Sequence, residues 1–118
     1  MTQAKRPVLP VIFRKDSEGW ITAVFPTLPF SGDGADMTCY AHVGQHGACS
    51  YSWLYNRTKP AKPEEYADLL AEISHIYGNA HFPGDEAYDL KVYRRIQPSF
   101  RRENLNECRR LAELASAA

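Results

Sequence analysis

The chain has 118 residues, 44% of them hydrophobic and 24% charged, and its 14 basic residues balance its 14 acidic ones, so net charge favours neither a polyanionic nor a polycationic partner. This size and composition predict a single globular domain over residues 1–118, with residues 1–7 and the last few residues frayed. The chain shows no run of about 18 apolar residues, no secretory signal and an odd number of cysteines, so we expect a cytoplasmic protein that makes no membrane contact.

The first predicted element is a β-hairpin. Residues 8–14 are apolar on both faces and rich in β-branched side chains, which is typical of a strand. Turn-forming residues occupy positions 15–19, where Gly19 can supply a positive φ. Residues 20–25 then predict the second strand of the hairpin.

Two further strands are predicted over residues 38–43 and 48–55, connected by residues 44–47. We expect Val43 to pair with Ala48, and because side chains alternate along a strand, this pairing fixes which residues share a face. One face then carries aromatic and reactive side chains in opposed pairs: His42 with Cys49, Tyr40 with Tyr51, and Thr38 with Trp53.

The clearest predicted helix covers residues 63–77. Pro63 and two acids occupy its first turn, six apolar side chains recur on one stripe, and Gly78 ends it. Residues 88–94 alternate as another strand, and a final helix follows Pro98. The order β-β-β-β-α-β-α predicts an α+β fold, with two helices packed on one face of a mainly antiparallel sheet of about five strands.

The densest group of reactive side chains lies between Cys39 and Cys49. This run holds both thiols, the imidazoles of His42 and His46, and the amide of Gln45. These are ligand types that zinc accepts, but Cys39 and His42 point to opposite faces of a regular strand, which disfavours a four-ligand site. Three ligands, His42, His46 and Cys49, are geometrically easier and would leave an open position for metal-activated water.

Three other interpretations of the same run stay open. Cys49 and His42 can act as nucleophile and base if an acid orients the imidazole. The backbone of residues 44–47 can form a nest that binds phosphate or carboxylate. The third interpretation is a tight hairpin loop, with half-exposed histidines and small buried cysteines, whose function is surface recognition.

Basic residues concentrate near the C-terminus, with seven basic and two acidic residues between Lys91 and Arg110. Three arginine pairs lie in this segment, and they are consistent with a nucleic-acid footprint. The segment from Pro63 to Asp89 has seven acids and no Lys or Arg, so internal charge matching between the two helices explains the asymmetry without a partner. The three arginine pairs of the basic segment are Arg94-Arg95, Arg101-Arg102 and Arg109-Arg110.

Aromatic side chains form a second candidate recognition group. Tyr40, Tyr51, Trp53 and Tyr55 can serve as a platform on which bases stack or as a protein-binding hot spot. The predicted helix over residues 63–77 must bury its apolar stripe, so we expect at least some of these rings to be core.

Four segments together carry a family resemblance: residues 11–15, 23–26, 40–46 and the stretch from Thr58 to Leu69. They resemble a family of small, uncharacterised proteins that phages, plasmids and other mobile elements carry. The central feature is the His-Val-Gly-Gln-His motif of residues 42–46. The resemblance spans residues 8–95, which is most of the chain, and it implies no functional residue, because the family has no assigned activity.

Two departures from this family bear on the candidate sites. Family members need not carry thiols at positions 39 and 49, and the Arg-rich extension after Arg95 is longer here. The resemblance implies a small accessory protein of a mobile element. Such proteins most often act by binding, and inhibitors of host defence such as anti-CRISPR proteins are examples.

We therefore expect a binding protein rather than an enzyme, because no acid/base set is evident. Its partner is predicted to be a host protein or a protein–nucleic acid complex, with no cofactor and an oligomeric state that the sequence leaves open. The alternative is a site for a phosphorylated small molecule or for zinc within residues 42–49, including hydrolase activity. The residues predicted to contact the partner are Tyr40, His42, Gln45, His46, Tyr51, Arg101 and Arg102.

Overall fold

A computed structural model describes residues 6–41, 45–79 and 86–117. These residues form an α+β fold built on a mainly antiparallel sheet, as the sequence predicted. The elements in chain order are β1 (Val8–Asp16), β2 (Ile21–Pro29), β3 (Asp36–Ala41), β4 (Gln45–Ser50), α1 (Tyr51–Arg57), β5 (Thr58–Pro60), α2 (Pro63–Tyr77), β6 (Asp89–Tyr93) and α3 (Pro98–Ala117).

The strand order is β4-β3-β2-β1-β5, and β6 also pairs with β1. Strand β5 pairs with the end of β1 from Arg14 to Asp16, whereas β6 runs parallel to its beginning from Val8 to Ile12. The other pairings are antiparallel. The predicted turn at Gly19 is confirmed, with φ of 87°.

Only residues 48–50 of the strand predicted over residues 48–55 are extended, and residues 51–55 are helical. Strand β4 ends at Ser50, and α1 begins at Tyr51. The Ser50 hydroxyl accepts a hydrogen bond from the Trp53 amide at 3.1 Å, which caps the helix. The alternating aromatic residues of this segment imitate a strand, but the serine cap and the burial of Leu54 stabilise a helical turn.

Helix α2 covers the predicted range and packs on one face of the sheet. Leu69 and Ile73 are buried there against a core from the first three strands. The ring of Phe13 stacks on Tyr66 with centroids 4.2 Å apart. The core residues of this face are Leu9, Val11, Phe13, Ala23, Phe25 and Tyr40.

The helices cover both faces of the sheet, so the expectation of two helices on one face is wrong. The opposite face buries Leu54 of α1 in a cluster that also contains Ile12, Val24, Met37 and Cys49. Helix α3 begins on this face too, where Phe100 packs edge-on against Tyr93 at 5.0 Å. Strand β1 is apolar on both faces, and both faces therefore need cover.

Helix α3 crosses β2 and the loop that follows it. Asn104 is fully buried, and its Nδ2 lies 3.4 Å from the Pro26 carbonyl oxygen. Gly34, with φ of 74°, allows the close approach, because a Cβ there would lie 2.6 Å from a Leu105 methyl carbon. None of the helices among the described residues is long and apolar enough to cross a bilayer.

Candidate binding surfaces

The ribbon of β3 and β4 has a different register from the predicted one. Tyr40 pairs with His46 and Met37 with Cys49, so Cys49 does not face position 42. Residues 45–47 belong to a strand and do not form the predicted backbone nest, and Gly44 lies outside the described residues. His42 lies outside the described residues, as does the side chain of Gln45.

His46 makes one defined contact with α2. Its Nε2 lies 2.7 Å from the Tyr77 hydroxyl, and its ring meets the buried Tyr40 ring edge-on at 4.7 Å. Burial raises the pKa of Tyr77 to about 12, with Tyr40 and Tyr88 adding to the shift. The phenol therefore stays protonated at neutral pH, and the His46–Tyr77 hydrogen bond ties the ribbon to the end of α2.

Cys39 and Cys49 lie on the opposite face of the ribbon and share a hydrogen bond between their thiols. This bond lowers the pKa of Cys39, whereas the same bond and burial raise the pKa of Cys49. A buried thiol that holds its proton is a poor nucleophile, which argues against Cys49 in that role. Within the described ranges, no group of three His, Cys, Asp or Glu side chains is placed to hold a metal ion.

A second surface lies between α1, the end of β6 and the start of α3. Two cavities of about 330 Å³ and 310 Å³ adjoin there, and Tyr55 and Ile96 line both of them. Arg14, Arg94 and Arg95 line the first cavity, and Arg101 lines the second. We call this surface the arginine–tyrosine cleft, and it comprises Arg14, Tyr51, Tyr55, Arg94, Arg95, Ile96 and Arg101.

Tyr51 and Tyr55 stand one helical turn apart on α1 and differ in their surroundings. The Arg101 guanidinium lies over the Tyr51 ring, 5.0 Å from its centroid, which is a cation–π contact. The Tyr51 hydroxyl is buried and has no hydrogen-bond partner among the described residues, and burial raises the pKa of this phenol. Tyr55 is 60% exposed, so its ring is available to an external group.

Arg14 lies at the base of the cleft and is only 8% exposed. Its Nη2 donates to the carbonyl oxygens of Leu54 and Thr58 at 3.0 Å and 2.9 Å, and its Nε donates to the Thr58 hydroxyl at 2.8 Å. These bonds satisfy carbonyl groups at the end of α1. Burial lowers the pKa of Arg14, yet a guanidinium stays charged at neutral pH, so the cleft holds a cation below its surface.

Among the described residues, four arginines and no Asp or Glu line the two cavities, so the lining of the cleft carries an excess of positive charge. Helices α2 and α3 begin on opposite faces of the sheet, so the charge matching predicted between these two helices is not seen, although Glu86 of the acidic segment interacts electrostatically with Arg110 of α3. Glu65 of α2 instead forms an ion pair with Lys15, and Arg110 of α3 pairs with Glu107 of the same helix.

The larger cavity of about 800 Å³, between β1, β6 and α3, has a different character. Three glutamates line it together with Lys91 and Arg110, so its charges are mixed and largely compensate one another. It offers no excess of one sign to a charged partner.

The residues predicted to contact a partner fall into two groups. Tyr40 and His46 meet on the α2 face, whereas Tyr51 and Arg101 meet in the arginine–tyrosine cleft. Arg102 is exposed and lines neither cavity of the cleft. Sequence reasoning missed Arg14. A charged residue at the end of an apolar strand was the available signal that this side chain is buried and hydrogen-bonded.

Comparison of the chain with protein-family models, with curated proteins and with solved structures finds no match. The resemblance to mobile-element proteins therefore stays a prediction.

Proposed function

We propose that this is a non-enzymatic binding protein whose arginine–tyrosine cleft holds a phosphate-bearing macromolecule of a host cell. The observation that carries the proposal is the set of four arginines around two adjoining cavities that no carboxylate lines. Unneutralised arginines attract phosphate, and a planar guanidinium matches its oxygens in a bidentate geometry. The family resemblance adds the context of a mobile element that acts on its host, such as an inhibitor of host defence.

The buried Arg14 supports an anionic partner independently of the exposed arginines. Its guanidinium is hydrogen-bonded to carbonyl and hydroxyl oxygens, which leave its net charge in place. An anion in the cavity above it would offset the cost of burying that charge. The exposed Arg94 and Arg95 extend the same positive potential to the rim.

The alternative, a phosphorylated small molecule or zinc at residues 42–49, has less support. Strand β4 occupies the positions at which a phosphate-binding loop was expected, and Cys49 keeps its proton in a buried position. We therefore place the binding function in the arginine–tyrosine cleft.

Retention on immobilised heparin tests this proposal. The variant R94Q/R95Q/R101Q removes three charges from the cleft, and R57Q/R102Q/R109Q removes three exposed arginines that do not line it. Because polyanion binding depends on the number of phosphate or sulfate contacts, we expect the cleft variant to elute at clearly lower salt than the control variant.

The two variants have the same formal charge, so total charge cannot explain a difference between them. Circular dichroism checks that both remain folded. Equal elution of the two variants, or no retention of the wild-type protein, would contradict the proposed function.

A further inference from the structure

Resting on that proposed function, we infer that the partner is single-stranded nucleic acid, with a base stacked on Tyr55 and the neighbouring phosphates bound by Arg94, Arg95 and Arg101. The inference starts from Tyr55, an exposed aromatic side chain at the centre of a positively charged surface. A base has a π-face that stacks on an aromatic ring whatever its identity.

Tyr55 lies between arginines on either side, an order that suits a strand of alternating bases and phosphates. Its ring lines both cavities, with Arg94 and Arg95 beside the first and Arg101 beside the second. A strand that crosses the cleft therefore places a base on Tyr55 and a phosphate on each side of it. Volumes of about 330 Å³ and 310 Å³ are at the lower end of small-ligand pockets, which suits one nucleotide in each.

The two tyrosines of α1 have different roles in the proposed complex: Tyr51 contacts Arg101, and Tyr55 contacts the base. Arg101 already lies over the Tyr51 ring, which fixes the guanidinium at the edge of the second cavity. No aromatic ring or cation of the described residues lies over Tyr55, so its ring is free for a base. Tyr51 itself lines the same cavity, and its hydroxyl is buried without a hydrogen-bond partner among the described residues.

Single strands are favoured over duplexes for a geometric reason. In a duplex the base faces are stacked on one another, and only phosphates and base edges reach a protein. An aromatic ring between two cavities gains nothing from such a partner, whereas an unpaired base stacks on it directly. The structure therefore favours a strand whose bases are free.

Fluorescence anisotropy with a labelled oligothymidylate of about 12 nucleotides and a duplex of the same length tests the inference. We expect the single strand to bind more tightly, and Tyr55→Leu to weaken its binding about tenfold while leaving duplex binding unchanged. Tyr55→Phe keeps the ring and should retain affinity. Trp20→Leu removes another exposed aromatic side chain, away from the cleft, and should have no effect.

The salt dependence gives a second readout. We expect three or four arginine–phosphate contacts. A plot of the logarithm of the binding constant against the logarithm of the salt concentration should then have a slope of about −2 to −3. The R94Q/R95Q/R101Q variant should reduce that slope, and R57Q/R102Q/R109Q should leave it unchanged.

The outcomes separate this inference from the proposed function. Equal binding of single strand and duplex, insensitive to Tyr55→Leu but weakened by R94Q/R95Q/R101Q, would overturn the inference and leave a phosphate-binding function standing. Equally effective competition by poly-glutamate would assign the cleft to an acidic polypeptide and would also overturn it. Failure of heparin, single strand and duplex alike to bind would overturn both proposals.

Discussion

The two faces of the sheet differ in what fills them. The face under α2 is an aliphatic and aromatic core, in which Leu69 and Ile73 pack on Phe13, Phe25 and neighbouring side chains. The face under α1 and α3 buries polar groups as well, among them Arg14 and Asn104. Buried polar groups contribute less to stability than apolar packing, so we expect the α2 face to contribute more to the stability, whereas the proposed binding site lies on the other face.

The reactive run between Cys39 and Cys49 is divided between these faces. His46 joins the α2 face through Tyr77, and the two thiols join the opposite face through one another. In the described part of this run, the local density of reactive groups reflects alternation along a strand rather than convergence on a single cavity.

The largest expected effect on the α2 face comes from Ile73→Ala. The side chain is fully buried, so the change should lower the free energy of unfolding by about 2–5 kcal/mol, through lost burial and the cavity left behind. Urea denaturation measures this loss. The folded fraction should still bind oligothymidylate within about twofold of wild type, since the substitution lies on the other face of the sheet.

Ile73→Val serves as the matched control, with an expected loss of about 0.5–1.5 kcal/mol. If Ile73→Ala weakened binding as strongly as R94Q/R95Q/R101Q at a temperature where it is folded, the separation between a stabilising face and a recognition face would be wrong.

A smaller effect is expected from Tyr77→Phe, which removes the hydrogen bond to His46 and should cost about 1 kcal/mol at neutral pH. The pKa of Tyr77 is raised to about 12, so between about pH 10 and 12 the unfolded chain loses this proton while the folded chain keeps it. Stability therefore falls as pH rises through this window.

Tyr77→Phe has no phenol to titrate at this position. Its free energy of unfolding should therefore fall less steeply than that of the wild type above pH 10. Denaturation at a series of alkaline pH values measures the two slopes, and His46→Ala, which keeps the phenol, should follow the wild-type slope more closely. Parallel slopes for the wild type and Tyr77→Phe would show that Tyr77 is not shielded by the fold.

Short sequence signals predicted the helices and turns whose conformation depends on neighbouring residues in the chain. Pro63 in the first turn, the apolar stripe and Gly78 located α2, and Gly19 located the first turn. Helix α1 was missed because its alternating aromatic residues follow the strand pattern, while the decisive feature was the hydrogen bond from the Trp53 amide to Ser50. The α+β class could be predicted from the order of the strands and helices alone.

The arrangement of the cleft depends on long-range contacts that no local pattern contains. Tyr51 and Arg101 were both predicted to contact a partner, but their contact requires α3 to return to the face that α1 covers. The register of β3 and β4 was wrong by several residues, because two glycines allowed more than one position for the turn. The environment of Arg14 depends on carbonyl groups of α1, about 40 residues later in the chain.

The most direct test of the central claim is a map of amide chemical-shift changes when oligothymidylate is added to ¹⁵N-labelled protein. The largest changes are expected at Tyr55, Arg94, Arg95 and Arg101, with Tyr77 and His46 unaffected. Changes centred on the β3–β4 ribbon and the end of α2, with none in the arginine–tyrosine cleft, would contradict the account.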